Sequence, residues 1–197
     1  MNFLAHALLS PDDDDEILAG NVFADLIKGR VADTTPPGIV TGIALHRAID
    51  RFADRHHAFK SCVRCVAAPR RRYATVIVDV FFDHCLARCW ADNSTADFGA
   101  FVERVCTRVE RQADVLPVRD RTRFERMLEC RWLALYATRD GLDRAFAGLA
   151  RRARFGHRLA EAATDLDRHY PTIEAAFRVL MPELREHVDQ VLAHGVD

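Results

Sequence analysis

The stretch from Gly38 to His57, GIVTGIALHRAIDRFADRHH, constrains this chain more than any other. At about 100° per residue, Ile39, Ile43, His46 and Asp50 fall in one narrow arc of a helix, flanked by Ile49 and Ala53. Arg47, Arg51 and Arg55 take the opposite, solvated side. The apolar arc must face a core, so a histidine and a carboxylate one turn apart are carried inward with it. An unpaired charge there would cost several kcal/mol. The helix therefore needs a compensating partner, either a buried ion pair or a metal ion.

The rest of the chain has the same helical periodicity, with no alternating strand pattern. Residues 2–10 form a short apolar helix carrying His6, stopped by Pro11. The acids at 12–15 offer an N-cap for a second helix, 14–28, in which Asn21 and Asp25 are another polar pair one turn apart. Gly29 is its C-cap candidate. Residues 57–68 are a short helix or loop. Residues 70–90 are the most apolar helix, covered on nearly its whole circumference from Val76 to Trp90, so it belongs at the centre. The β-branched run from Thr75 to Val80 resembles a strand, but the helical pattern continues through Trp90. Further helices follow at 96–112, 121–138, 140–152 and 157–169. The last starts at Pro171 and runs to about 194, bent or split at Pro182. The expectation is an all-α fold, a single domain over 1–197 with about eight to ten helices.

Composition narrows the function classes. The net charge of −1 does not suit a nucleic-acid binder. No apolar run approaches the roughly 18 residues of a membrane span. MNFLAHALLS has neither the basic start nor the small-residue cleavage site of a signal peptide, which points to the cytoplasm. Basic charge is almost all arginine, clustered at Arg70, Arg71 and Arg72 and again at Arg151, Arg152 and Arg154. Cys62-x2-Cys65 and Cys85-x3-Cys89 have the spacing of zinc half-sites, but both lie in helical patterns without turn-forming Gly or Pro. Free thiols are the favoured reading for all six cysteines.

The polar faults are confined to the first 90 residues: His6, Asn21, Asp25, His46, Asp50, Asp79, Asp83 and His84. Asp79 and Asp83 lie one turn apart on the central helix, so they need a cation or a shared proton. Imidazoles and carboxylates without thiolates suit Mn²⁺, Fe²⁺, Zn²⁺ or Mg²⁺, and facing helices are how bundles build such sites. A divalent ion would neutralise the paired aspartates and activate water against a phosphoryl group. A lone histidine on an apolar face is more often a satisfied core residue, yet four helices with the same fault argue for a shared site. The sequence has neither a Gly-x-Ser-x-Gly elbow nor a glycine-rich phosphate loop.

The same residues carry a resemblance. MNFLAH at 1–6, GNVFAD at 20–25, GIALHRAID at 42–50 with Asp54, and VDVFFDH at 78–84 resemble the motifs of the acyl carrier protein phosphodiesterase family. The likeness continues through Trp132-Leu133 and the Asp167-x-His169-Tyr170 segment. The resemblance implies hydrolysis of the phosphodiester that links 4′-phosphopantetheine to a serine of holo-acyl carrier protein. It implies a divalent cation, Mn²⁺ above others, and an all-helical HD-domain-like fold. The pair here is Asp83-His84, the reverse of the HD order, so HD ligands do not transfer by position.

On that basis His46, Asp50, Asp79, Asp83 and His84 are expected to hold the metal or metals. Asp25, with Asn21, completes the shell or acts as base, and His6 protonates the leaving group. Acyl carrier protein is small, acidic and helical, so its docking surface should be basic. Arg47, Arg51 and Arg55 and the Arg70, Arg71, Arg72 cluster are the candidates, with Arg151 and Arg152 as a second choice. Two rivals remain: an HD-like enzyme acting on a small phosphorylated molecule such as a nucleotide, and a non-enzymatic helical interaction module with buried ion pairs.

Overall fold

Helices 2 and 3 of the chain approach so closely that only glycine fits between them. In the computed structural model, which describes residues 1–27, 32–151, 156–159 and 161–195, these are α2 (Asp15–Phe23) and α3 (Pro37–Arg55). A Cβ on Gly42 would lie 2.8 Å from the Cα of Gly20, and one on Gly20 would lie 3.0 Å from the Cα of Gly42. The absent side chains let the backbones touch, and this lays Asn21 and Asp25 alongside His46 and Asp50. Asp14 caps α2 by accepting the N–H of Ile17, as the acid run predicts. Pro36 gives α3 no side-chain cap, so Glu16 reaches from α2 to accept the N–H of Gly38 at 3.1 Å.

The described residues contain no strand. Before α2 stands α1 (Phe3–Leu8); after α3 come α4 (His57–Cys65), α5 (Ala74–Arg88), the single turn α6 (Trp90–Asn93), α7 (Phe98–Glu110), α8 (Val118–Glu129), α9 (Arg139–Ala150) and α10 (Ala163–His194). The all-α expectation holds. Helix α5 is the core element: Ile77, Val78, Val80, Phe81, Phe82, Cys85 and Leu86 are all buried. Tertiary burial overrides the strand preference of its β-branched run. Phe82 makes edge-on contacts with Phe59 of α4 and Phe177 of α10, and Phe81 with Phe146 of α9. Each such pair adds about 0.5–1.5 kcal/mol beyond area burial. No helix among the described residues is long and apolar enough to cross a membrane. All six cysteines are free thiols.

Several boundaries differ from expectation. Helix α5 starts at Ala74, because Ala68–Tyr73 form a 3-10 segment pinned by Arg70 and Ala67 to Asp165. The helix predicted over 121–138 stops at Glu129. Arg131 is left-handed there (φ 47°, ψ 51°), and a 3-10 turn, Trp132–Ala137, follows. The regular part of α2 ends at Phe23, where Leu26 donates to the Phe23 carbonyl and tightens the chain into a turn. Gly29, its proposed cap, lies outside the described residues. The last helix breaks at His169 (φ −121°, ψ 16°), just before Pro171, and runs unbroken through Pro182. Pro182 frees only the carbonyl of exposed Arg178, which solvent can satisfy.

Gly42→Ala sets a propensity gain of about 1 kcal/mol against a backbone clash of overpacking type, about 1–3 kcal/mol or more. The clash is expected to win, lowering the midpoint of chemical denaturation. An unchanged or raised midpoint would show that α2 and α3 can separate without loss.

Candidate metal centre

The N-terminal segment is plugged into α5 by two aspartates. The α-ammonium of Met1 donates to Asp79 Oδ1 at 2.7 Å and to Asp50 Oδ1 at 3.1 Å. One turn along α5, Asp83 accepts the N–H of Leu4 at 2.7 Å and of Ala5 at 3.2 Å. Those are orphan donors of the first turn of α1, where an anion is favoured. Asn2 takes the N–H of Phe3. With its N-terminus satisfied in this way, α1 can be buried, and it delivers His6 to the α2–α3 crossing.

Asn21 then fixes both imidazoles. Its Nδ2 donates to the His6 carbonyl at 3.0 Å and to Ser10 Oγ at 2.9 Å, so its Oδ1 faces His6 Nδ1 at 2.8 Å. An amide oxygen only accepts, so His6 carries its proton on Nδ1. The backbone carbonyl of Asn21 does the same for His46 Nδ1 at 2.8 Å. The two rings stack, centroids 3.9 Å apart and 13° from parallel. Both Nε2 atoms turn to Asp50, His6 to Oδ1 and His46 to Oδ2, each at 3.2 Å. Asp25 Oδ1 lies 3.5 Å from His46 Nε2. Ligand atoms of His6, His46 and Asp50 all fall within 4.8 Å of one another, the one such group among the described residues.

The electrostatics divide the charge among these groups. Burial pulls His6 down to about 4, so at neutral pH its Nε2 is a lone pair facing a carboxylate oxygen, buried and without a donor. Burial also acts against a charge on His46, but hydrogen bonds to Asp25 and Asp50 prevail and hold it up at about 9. Burial raises Asp50, yet the bond from His46 and the Met1 ammonium keep it far below the carboxylate range. Asp25 is lowered despite burial by its bond to His46. Burial works against the Met1 amine as well, but Asp79 and Asp50 raise it to about 11, while burial pushes Asp79 up to about 7. The shared proton therefore stays on the amine. The proton on His46 neutralises the charge of the neighbouring carboxylates Asp25 and Asp50.

The structure thus brings together His6, Asn21, Asp25, His46 and Asp50, with Asp79 joined to them through Met1. It does not bring in Asp83 or His84. Asp83 has no exposed surface and both its oxygens are bonded to α1. His84 points away, its Nδ1 2.7 Å from the Tyr136 carbonyl and its ring edge-on to Tyr170. These two residues are not placed as ligands beside His46. The carboxylate pair of α5 has its cation all the same: the chain's own ammonium and a helix N-terminus. Asp54 is exposed. Arg70 is not part of a free basic surface, since its Nε and Nη2 bond both oxygens of Asp165 at 2.9 and 2.8 Å. The sequence pattern gives no signal for Met1, because a backbone amine has no motif, nor for Ser10.

With the site described, similarity to known proteins can be placed on it. The family model described as Acyl carrier protein phosphodiesterase matches residues 1–184. The chain belongs to the acyl carrier protein phosphodiesterase family. Relatives named acyl carrier protein phosphodiesterase include one from Enterobacter sp. (strain 638), 32% identical over 93% of this chain and 95% of its own. Another, from Escherichia coli O6:K15:H31, is 31% identical over 96% of this chain and 98% of its own. No solved structure matches. The four motifs of the family resemblance converge here as two groups: the first three build the histidine–carboxylate centre, and the fourth, on α5, anchors the first.

In this family member without metal, imidazole nitrogen resonances should show His46 titrating near pH 9 and His6 staying neutral to about pH 4. His46 is raised above its ordinary 6.5, so its stabilisation is complete below pH 6.5 and lost as pH rises through 9. The His6 contribution has the opposite sign, present above pH 6.5 and lost as pH falls through 4. Both histidines titrating near 6.5 would show that the centre is not assembled.

Proposed function

We propose that this chain hydrolyses the phosphodiester between 4′-phosphopantetheine and the serine of holo-acyl carrier protein, using a divalent cation held by His6, His46 and Asp50. The observation that carries this reading is the pair of imidazoles whose tautomers are fixed by Asn21 so that both Nε2 atoms face one carboxylate. A metal-binding histidine typically donates its other ring N–H to a carbonyl or carboxylate in this way. Two nitrogens and a carboxylate suit Mn²⁺, Fe²⁺ or Zn²⁺ better than Mg²⁺, and Mn²⁺ is the ion proposed. Bound there, the ion lowers the pKa of water and polarises a phosphoryl oxygen.

The side chains divide the remaining work. Asp50 faces both imidazoles and sets their separation. Asp25 stands at the mouth, its side chain 47% exposed and its pKa lowered, so it is ionised and able to accept the proton of an attacking water. His6 is 1% exposed and neutral, with both nitrogens directed inside the centre, so it serves as a ligand and not as the leaving-group acid. Asn21 orients the ligands and touches no substrate. Asp79 and Met1 buffer the inner side of Asp50.

For the acidic carrier protein, Arg47, Arg51 and Arg55 form an exposed row along α3, starting beside His46. Arg71 and Arg72 are exposed at the approach to α5. Arg151 is exposed, and Arg152 lies outside the described residues. Docking through such a row would be steered electrostatically. An enzyme acting on a free nucleotide would have no use for it, and a pure interaction module would have no use for the centre.

Incubating holo-acyl carrier protein with the protein and Mn²⁺ should remove the phosphopantetheine mass. Asp50→Asn should abolish this, and Asn21→Ala should weaken metal binding about 10–100-fold by titration calorimetry. Full turnover by Asp50→Asn, or none by the parent protein with any divalent ion, excludes the reading. Separately, Arg47→Ala combined with Arg51→Ala should raise KM at constant kcat, most at low salt. A KM indifferent to both salt and substitution would remove the α3 row from docking.

A further inference from the structure

Four of the six half-buried arginines among the described residues pair with a carboxylate. Arg70 bonds Asp165, Arg108 bonds Asp15, Arg121 pairs with Asp114, and Arg139 with Asp143 and Asp167. Arg185 donates to the Asn93 carbonyl. Arg123 differs. It makes no hydrogen bond or ion pair among the described residues, although its Nε is buried. A buried guanidinium N–H without an acceptor is costly, so its persistence needs a reason.

Its position supplies one. Arg123 lies on α8 next to Phe124, which is fully buried and packs edge-on against Phe23 with centroids 5.0 Å apart. Phe23 ends α2, two residues before Asp25. Arg123 therefore sits on the stretch of α8 packed against the end of α2, two residues before Asp25, and the Asp25 charge acts on it. The anionic groups that act on it are Asp120 and Asp25, and neither is within ion-pair distance. A phosphodiester entering there carries a negative charge toward Asp25 and Asp50. Among the described residues the cations of the centre, the Met1 ammonium and His46, are already engaged with its carboxylates.

We propose that Arg123 is the substrate's phosphate-binding residue, its free guanidinium N–H groups donating to the non-bridging oxygens of the phosphodiester. A planar guanidinium fork suits two such oxygens. The inference rests on the phosphodiesterase reading for its substrate but not for its ligand chemistry, which is that of a phosphate anion.

The test uses the whole chain supplemented with diamagnetic Mg²⁺ and inorganic phosphate as probe. The Arg123 Nε–Hε resonance is expected to move on phosphate addition. Arg123→Gln should weaken phosphate binding about 10–100-fold and Arg123→Lys by less, in line with loss of charge-assisted hydrogen bonds. With Mn²⁺ and holo-acyl carrier protein, kcat/KM should fall over the same range for Arg123→Gln while the unfolding midpoint holds. An unmoved resonance, or phosphate binding by Arg123→Gln equal to that of the parent, overturns the assignment. Phosphate bound through Arg123 without release of phosphopantetheine upholds it and sinks the carrier-protein substrate instead. If Arg123→Gln does not fold, the parent resonance and Arg123→Lys decide the question.

Discussion

Asp83 accepts the N–H groups of Leu4 and Ala5 from a position with no exposed surface, and the site depends on that contact. A six-residue helix is too short to be stable alone. Its unpaired N-terminal donors would forbid burial if nothing answered them. Asp83 and Asn2 answer them, Asp79 takes the Met1 ammonium, and α1 becomes a core element. Leaving a buried N–H of this kind without its acceptor costs about 1–3 kcal/mol. His6 reaches the centre only because this price is avoided.

The second dependence is on small size. Gly20 and Gly42 allow a backbone approach that no other residue pair at those positions permits, and Asn21 is the first side chain beyond the contact. From there Asn21 uses both ends of its amide and its own carbonyl to set two imidazole tautomers. The result is a layer in which His6 and His46 are stacked and aimed and a proton is held on His46. Asp25 and Asp50, partly exposed, connect that buried layer to solvent.

Much of this is legible in the sequence because it follows from periodicity. The inward arc of His46 and Asp50, the parallel fault at Asn21 and Asp25, and the centrality of α5 all come from residue spacing on a helix. Periodicity tells which residues face inward but not which inward residues face one another. Asp79 and Asp83 read as ligands for that reason, since a buried carboxylate pair demands positive charge and a metal is one supplier. The structure supplies a backbone amine and a helix end instead, neither of which has a side-chain signature. His84 points to the Tyr136 carbonyl on a 3-10 turn that the pattern over 121–138 reads as helix. Arg70 reads as surface charge until Asp165, far along the chain, is found against it.

The all-helical class, the central helix and the set of inward polar residues could be read from the chain alone. Those are consequences of local period and of the cost of burying charge. The membership of the centre, the tautomers of His6 and His46, and the packing of the Arg123 stretch of α8 against the end of α2 came from tertiary contacts. Those depend on contacts between residues far apart in the chain, on backbone donors that every residue carries alike, and on the distance at which two glycines let helices meet.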